Sequence, residues 1–320
     1  MEFVFKRTDQ LSAEEKRQLC ALFGRVFNKN MALGEFDNKY AGSVMNYSYH
    51  GLMADNGTIV GGYSAIPFKY RFFGKDHMFA LSVDTMIDEK YRGDPFALKK
   101  MANMVYDALK RDGIPFVFGF PNENVYLIRK KVLKWEDVGE LDYYILPVRI
   151  GAVARRLRIF NVVSGIFARL INLVPGEVDR RIRAEGAECA VEKVNDQEFV
   201  KYRYAGGYKI IKFNGGPYFA YKVFLEDNVR TAYLVDVFPL QKELVERAVR
   251  YIFESEGANI DVILYVGKLR SSPLNLFRAP KKIEPRKMRM AGRILIDSMI
   301  DRRVFDINNW NVNLSNFDVR

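Results

Sequence analysis

The sequence predicts an α/β protein with a mixed α+β sheet, built as two similar halves joined by a basic helical linker. Three observations predict it. Residues 79–120 read as a strand, a tight basic turn, a helix and a second strand. A comparable strand, helix and strand returns over 230–266. Between them, residues 147–176 hold five arginines (Arg149, Arg155, Arg156, Arg158 and Arg169) and no acidic residue. The expected division is 1–146 as the first domain, 147–190 as the linker, 191–300 as a second domain, and 301–320 as a tail packed on the body.

The elements follow in order. Ser12 and Glu15 form a capping box that opens a helix over 12–28, with Leu19, Leu22, Phe23, Val26 and Phe27 on one face. Asp55-Asn56-Gly57 is a hairpin signal joining two apolar runs, and Gly74-Lys75-Asp76 turns the next pair. The strand 79–87 is followed by the turn Tyr91-Arg92-Gly93-Asp94-Pro95-Phe96-Ala97. A helix runs over 97–111 and ends at Asp112-Gly113, before the strand 115–120. A turn of this kind brings backbone N–H groups and a helix N-terminus to one place, where an anionic pyrophosphate can sit. In the linker, Val153, Leu157, Phe160, Val163, Phe167 and Leu170 form a helical stripe, ended by Pro175-Gly176. Later come strands over 218–225 and 230–237, a helix over 240–256 and a strand over 260–266. The tail packs through Trp310 and Phe317.

Composition narrows the class. At 320 residues, 49% hydrophobic and 28% charged, the chain is globular and long enough for two domains. Cys20 and Cys189 make no disulfide framework and suit a reducing compartment, so the expected location is cytoplasmic. Two histidines, His50 and His77, do not make a metal cluster, and no metal is expected. The first residues contain no apolar leader region, and no long uncharged apolar run exists. The net charge of +11 attracts phosphorylated cofactors, anionic lipid or nucleic acid without choosing among them. The basic residues Lys281, Lys282, Arg286, Lys287 and Arg289 have no interleaved aromatic rings, so they read as a solvated surface and not as a nucleic-acid site. The arginine-rich stripe over 149–174 either packs between domains or touches an anionic membrane surface.

Residues 79–146 resemble the core of the GNAT-type acyl-CoA N-acyltransferases, in particular a two-domain bacterial subgroup. The words that carry the resemblance are Asp84-Thr85-Met86, Tyr91-Arg92-Gly93-Asp94-Pro95-Phe96, Gly119 to Tyr126, and Leu133-Lys134-Trp135. The resemblance implies tandem GNAT-like domains, the second degenerate, with acetyl-CoA or another acyl-CoA as cosubstrate. It implies that the strand before the loop splays from its neighbour and offers the backbone at Met86 and Ile87. Arg92, Gly93, Asp94, Phe96 and Ala97 would hold the pyrophosphate. Pro95 departs from the family's loop by replacing its usual first glycine, which removes one N–H donor. The second half has Phe238-Pro239-Leu240 at the corresponding turn, with no glycine there, and is expected not to bind CoA.

Three residues are candidates for proton transfer. Asp84, in an apolar strand, is either a general base for the acceptor amine or a structural aspartate; Asp236 at the matching place favours the structural role. Tyr126 either protonates the departing thiolate or packs and lines the ligand, and Glu123 is a second candidate base. Asn122 and Asn124 either cap the next helix or line the cofactor. The function so implied is acetyl transfer to a small-molecule amine or an amino-sugar. Two others stay open: aminoacyl transfer from charged tRNA on a tandem fold, and a non-catalytic binding protein whose CoA loop has decayed.

Overall fold

The computed structural model describes residues 1–149, 151, 161–173 and 190–317. Arg155, Arg156, Arg158, Val153, Leu157, Phe160, Pro175, Gly176 and Cys189 lie outside the described residues. The first elements are β1 (Glu2–Arg7), α1 (Ala13–Phe27), α2 (Leu33–Tyr40), β2 (Tyr49–Asp55), β3 (Thr58–Phe72) and β4 (Lys75–Ile87). Then come α3 (Pro95–Arg111), β5 (Phe116–Gly119), α4 (Glu123–Leu133), β6 (Glu136–Pro147) and α5 (Asn161–Leu173). The later elements are β7 (Val191–Lys193), α6 (Gln197–Arg203), β8 (Lys209–Lys212), β9 (Tyr218–Glu226) and β10 (Val229–Phe238). The last are α7 (Lys242–Glu256), β11 (Val262–Gly267), β12 (Phe277–Arg278), β13 (Met288–Ile294) and β14 (Trp310–Asn311).

The chain divides into two compact units. One comprises Met1–Glu140, Ala190–Tyr202 and Met288–Asn309; the other comprises Leu141–Cys189, Arg203–Lys287 and Trp310–Arg320. Residues 191–202 and 288–300 thus fall in the first unit, where the sequence reading had them in the second domain. The reason is strand pairing: β13 runs antiparallel to β5, with Ala291 opposite Gly119 and Ile294 opposite Phe116. Short segments far along the chain carry no local signal of the strand they will join.

In the first unit β1 to β4 form an antiparallel meander. The Asp55-Asn56-Gly57 turn closes β2 on β3 with positive φ at Asn56 (47°) and Gly57 (77°), the conformation such hairpins need. β4 pairs with β5 in parallel through the crossover helix α3. α1 starts at Ser12, whose Oγ accepts from Glu15 N at 3.2 Å while the Glu15 carboxylate accepts from Ser12 N at 2.9 Å. Leu19 and Leu22 of α1 are buried, but Phe27 is 37% exposed and meets the Phe23 ring at 4.8 Å, so the apolar face is narrower than the sequence pattern. α3 is held by Leu98, Met101, Val105 and Leu109, which share one core with Tyr49, Met53, Val60 and Tyr63 of the sheet. This is the apolar stripe of a helix seated on a sheet face.

The second unit repeats the connection. β8, β9 and β10 run antiparallel, β10 pairs in parallel with β11, and α7 is the crossover between them. Residues 142–147 of β6 close the other side of β11. Leu244, Val245, Ala248, Val249 and Ile252 of α7 pack on Phe219, Leu234 and Ile263. Among the described residues, no helix is long and apolar enough to cross a membrane. In α5, Ile166, Phe167 and Leu170 are exposed.

Two features of the first unit have measurable consequences. A Cβ on Gly51 would lie 2.2 Å from the Met101 carbonyl oxygen of α3, a backbone-on-backbone approach that only glycine permits. Gly51→Ala is expected to lower the unfolding free energy by about 3 kcal/mol. Chemical denaturation checks this, and a loss below about 0.5 kcal/mol would show that the helix can ride outward freely.

His50 is fully buried, its Nε2 2.9 Å from Thr8 Oγ1 and its Nδ1 2.9 Å from Ser64 Oγ. Burial drives its imidazole down to about 3, with the Lys16 charge adding to the shift. The folded state therefore keeps it neutral, while the unfolded chain protonates it below about 6.5. Between those values the unfolded state binds more protons, so the stability is whole above about 6.5 and is lost as pH falls. The contribution is up to about 1.4 kcal/mol per pH unit. Urea titrations between pH about 4 and 7 should show a smaller slope for His50→Gln than for the native chain. Equal slopes would remove His50 as a source.

Candidate active site

The site forms where β4 leaves β5. The parallel pairing covers only Phe79 with Phe116, Ala80 with Val117 and Leu81 with Phe118. The next pair, Ser82 with Gly119, does not form. On its other edge β4 stays paired to β3, but the register shifts between Gly62 and Ser64, so Asp84 and Thr85 stand opposite the single residue Tyr63. This is a β-bulge, which bends the strand and re-aims its side chains. Asp84 carries the bend at φ 42°, a conformation costly for a non-glycine residue. Beyond the bulge Met86 pairs with Gly62 and Ile87 with Gly61. The expected splay is thus present and begins several residues before Met86.

Asp84 does not stand alone. Its Oδ2 is 2.6 Å from Lys39 Nζ, and it also accepts from the Tyr40 hydroxyl. Both partners come from the end of α2, over forty residues away, and no sequence pattern signalled them. Its side chain is 10% exposed, so the carboxylate is held in place but reaches solvent.

The loop after β4 is organised by local bonds. Arg92 Nε donates to the Ile87 carbonyl at 3.0 Å and ties the loop to the end of β4. Tyr91 donates to Asp55 at 2.6 Å. Asp94 is the N-cap of α3: its Oδ1 accepts from Phe96 N at 2.8 Å, and its carbonyl accepts from Ala97 N at 3.3 Å. Pro95 takes the first helical position, where a missing N–H is tolerated. The helix N-terminus therefore already carries a carboxylate. An incoming pyrophosphate would find Arg92 and Gly93 exposed but would have to displace or neighbour Asp94. Phe96 is 72% exposed and Ala97 is buried.

On α4, Asn122 is the N-cap, accepting from Val125 N at 3.0 Å. Glu123 and Asn124 are exposed. Tyr126 donates to Asp137 of β6 at 2.7 Å, and the Arg289 guanidinium lies 4.5 Å above its ring. Partial burial alone would raise the Asp137 carboxyl, but hydrogen bonds from Lys130 and Tyr126 hold it below the usual carboxylate range. Asp137 thus takes the proton end of the Tyr126 hydroxyl.

The residue of α4 at the parted strands is Arg129. It is 5% exposed, its Nη2 donates to Thr85 Oγ1 at 3.0 Å, and its guanidinium lies 4.4 Å over the Trp135 ring. Trp135 in turn donates to Tyr106 Oη at 2.8 Å, and Tyr106 meets Tyr63 Oη at 3.0 Å. Burial pushes both phenols up, so they remain protonated. The chain of contacts leads from the bulge, through two tyrosines and a tryptophan, back to the bulge. Sequence reasoning noted Arg129 only as standing, with Lys130, near the place where the resembled family usually has its acid tyrosine, and gave it no role; its place directly after the apolar pair Leu127-Ile128 gives no hint of burial.

The second unit carries a related bend. Its β10 shifts register between Leu234 and Asp236 beside the parallel pairing of residues 231–234 with 262–265. Asp236 is fully buried and accepts from Tyr204 at 2.6 Å, Tyr218 at 2.8 Å, Asn313 Nδ2 at 2.8 Å and Val237 N at 3.0 Å. A cavity of about 240 Å³ lies at the start of α7, lined by Gln241, Lys242, Lys268, Arg270 and Trp310 among others. Among the described residues no group of three or more His, Cys, Asp or Glu side chains is arranged to hold a metal ion.

Residues 7–130 match the family model described as "Acetyltransferase (GNAT) domain". Solved structures share the architecture over most of the chain. A probable N-acyltransferase from Enterococcus faecalis V583 aligns with a TM-score of 0.59 and 14% identity, over 92% of this chain and 73% of its own. A GCN5-related N-acetyltransferase from Anabaena variabilis gives 0.58 and 14%, over 92% and 73%. Eis1 from Mycobacterium abscessus gives 0.56 and 12%, over 92% and 74%. Likeness at such identity shows a common fold. No curated protein matches the sequence.

Proposed function

We propose, from the match of residues 7–130 to the GNAT acetyltransferase domain, that this protein transfers an acetyl group from acetyl-CoA to the amine of a small molecule, such as an amino-sugar. The observation that carries the reading is the parting of β4 from β5 after Leu81 and Phe118, with a bulge at Asp84. A gap of this kind lets the pantetheine arm lie between two strands and hydrogen-bond to main-chain groups that sheet pairing would otherwise occupy. The backbone at Met86 and Ile87 would polarise the thioester carbonyl. Arg92 and Gly93 would receive the pyrophosphate. Asp84, oriented by Lys39 and Tyr40, would accept the proton of the attacking amine directly or through water. An acyl-CoA donor and the free Cys20 both fit a cytoplasmic setting.

One observation favours a second reading, a binding protein without catalysis. Asp94 and Pro95 together occupy the helix N-terminus that a phosphate needs. A carboxylate there repels a second anion.

Calorimetric titration with acetyl-CoA and with CoA separates the readings. Saturable micromolar binding is expected, weakened at least about tenfold, or about 1.4 kcal/mol, by Arg92→Ala. Asp94→Asn keeps a capping side chain and removes its charge, and should tighten binding by about two- to fivefold. A native chain that binds neither ligand would sink the acyl-CoA reading.

Asp84→Asn should leave acetyl-CoA affinity within about twofold and lower thiol release, in a screen of primary amines, by about 100-fold. An unchanged rate would leave Asp84 with a structural role only, like that of Asp236.

A further inference from the structure

Arg129 has an arrangement that the fold alone does not account for. Its guanidinium is buried, and Nε and Nη1 have no hydrogen-bond partner among the described residues. Leaving such donors unmet is costly, and more so on a charged group. The Trp135 ring offsets part of that through its face, and Thr85 takes one N–H. Two donor atoms remain, on a group that is always charged.

Their position is specific. A Cβ on Gly119 would lie 3.0 Å from Arg129 Nη1 and 3.0 Å from the Ser82 carbonyl oxygen. Ser82 and Gly119 are the residues at which the parallel pairing fails. The guanidinium therefore sits in the fork between β4 and β5, and glycine at 119 leaves the room for it. This is the fork into which the acyl donor is placed above.

We propose that Arg129 stabilises the CoA thiolate as it leaves, an inference that rests on the acyl-CoA reading. The amine nitrogen attacks the thioester carbon and forms the new C–N bond. The C–S bond breaks and its electron pair stays on sulfur. The amine proton passes to the base side of the site, and the thiolate later takes a proton from water. Arginine cannot give up a proton at such a step. It acts by charge, which is strong where water is excluded. Tyr126, which sequence reasoning put forward as the acid, donates its proton to Asp137 instead. That leaves the leaving group to the Arg129 guanidinium.

The test uses the full chain and CoA itself, so that no acceptor need be known. The ultraviolet absorbance of the thiolate is followed against pH with CoA bound. The native chain should hold about tenfold more thiolate at a fixed pH than free CoA does, a shift of about one pH unit. Arg129→Met should lose that shift, and Arg129→Lys should retain part of it. Affinity for desulfo-CoA, which lacks the sulfur, should change less than about twofold in either variant, since only the sulfur meets the guanidinium. A purely structural Arg129 would instead weaken desulfo-CoA and CoA alike and leave the bound thiol unshifted.

If Arg129→Met does not fold, Gly119→Ala supplies the same comparison by pushing the guanidinium from the fork. CoA that binds the native chain with an unshifted thiol overturns this inference and spares the acyl-CoA reading. A native chain that binds no CoA overturns both.

Discussion

Everything at the site depends on where β4 lets go of β5. Two parallel strands would ordinarily continue their hydrogen-bond ladder until one of them ends. Here the ladder stops at Leu81 and Phe118, and the Arg129 guanidinium and the Trp135 ring lie beside Gly119, the next residue of β5. The bulge at Asp84 and Thr85 completes the separation by turning β4 while its other edge stays bound to β3. Thr85 then faces Arg129 and accepts its bond, and Asp84 faces Lys39 and Tyr40. One irregularity in one strand thus sets a cation on one side of the opening and an oriented carboxylate near it.

The second unit shows the same topology with its aspartate enclosed. It has the meander, the crossover helix, the parallel pair and a shifted register near an aspartate. Asp236, however, is sealed, with four donors gathered around it from Tyr204, Tyr218, Asn313 and Val237. A buried charge surrounded by donors is structural cement. Asp84 keeps contact with solvent, and Arg129 keeps donors unspent. The two halves share a scaffold and differ in how the aspartate at the bend is held, enclosed by donors at Asp236 and within reach of solvent at Asp84.

The loop before α3 shows how two local rules can compete. A turn into a helix N-terminus attracts anions, and so does the N-cap position itself. Asp94 answers the second rule and thereby opposes the first. Its bond to Phe96 N strengthens the helix start in a turn where Pro95 can donate nothing. An anion at this loop would meet both that cap and the exposed Arg92.

Much was legible from the sequence because it rests on interactions between near neighbours. Turn chemistry at Asn56-Gly57, the Ser12–Glu15 capping box, the Asp112-Gly113 stop of α3 and the Asn122 cap each depend on residues close along the chain. The order of strand, loop, helix and strand follows from the same short-range patterns, and with it the fold class. What the chain could not disclose are contacts across long separations. Lys39 and Tyr40 reach Asp84, Thr85 meets Arg129, and β13 joins β5 from the far end of the sequence. Such pairs cost loop-closure entropy and are repaid only by the packing of the whole unit, so no local pattern encodes them. The sequence alone determined that two strand–helix–strand units would form, with each crossover helix placed within about two residues of its observed start. Only the tertiary structure decided that one unit would part its strands around an arginine with donors to spare, because burial and hydrogen-bond satisfaction belong to the assembled core and not to any segment of it.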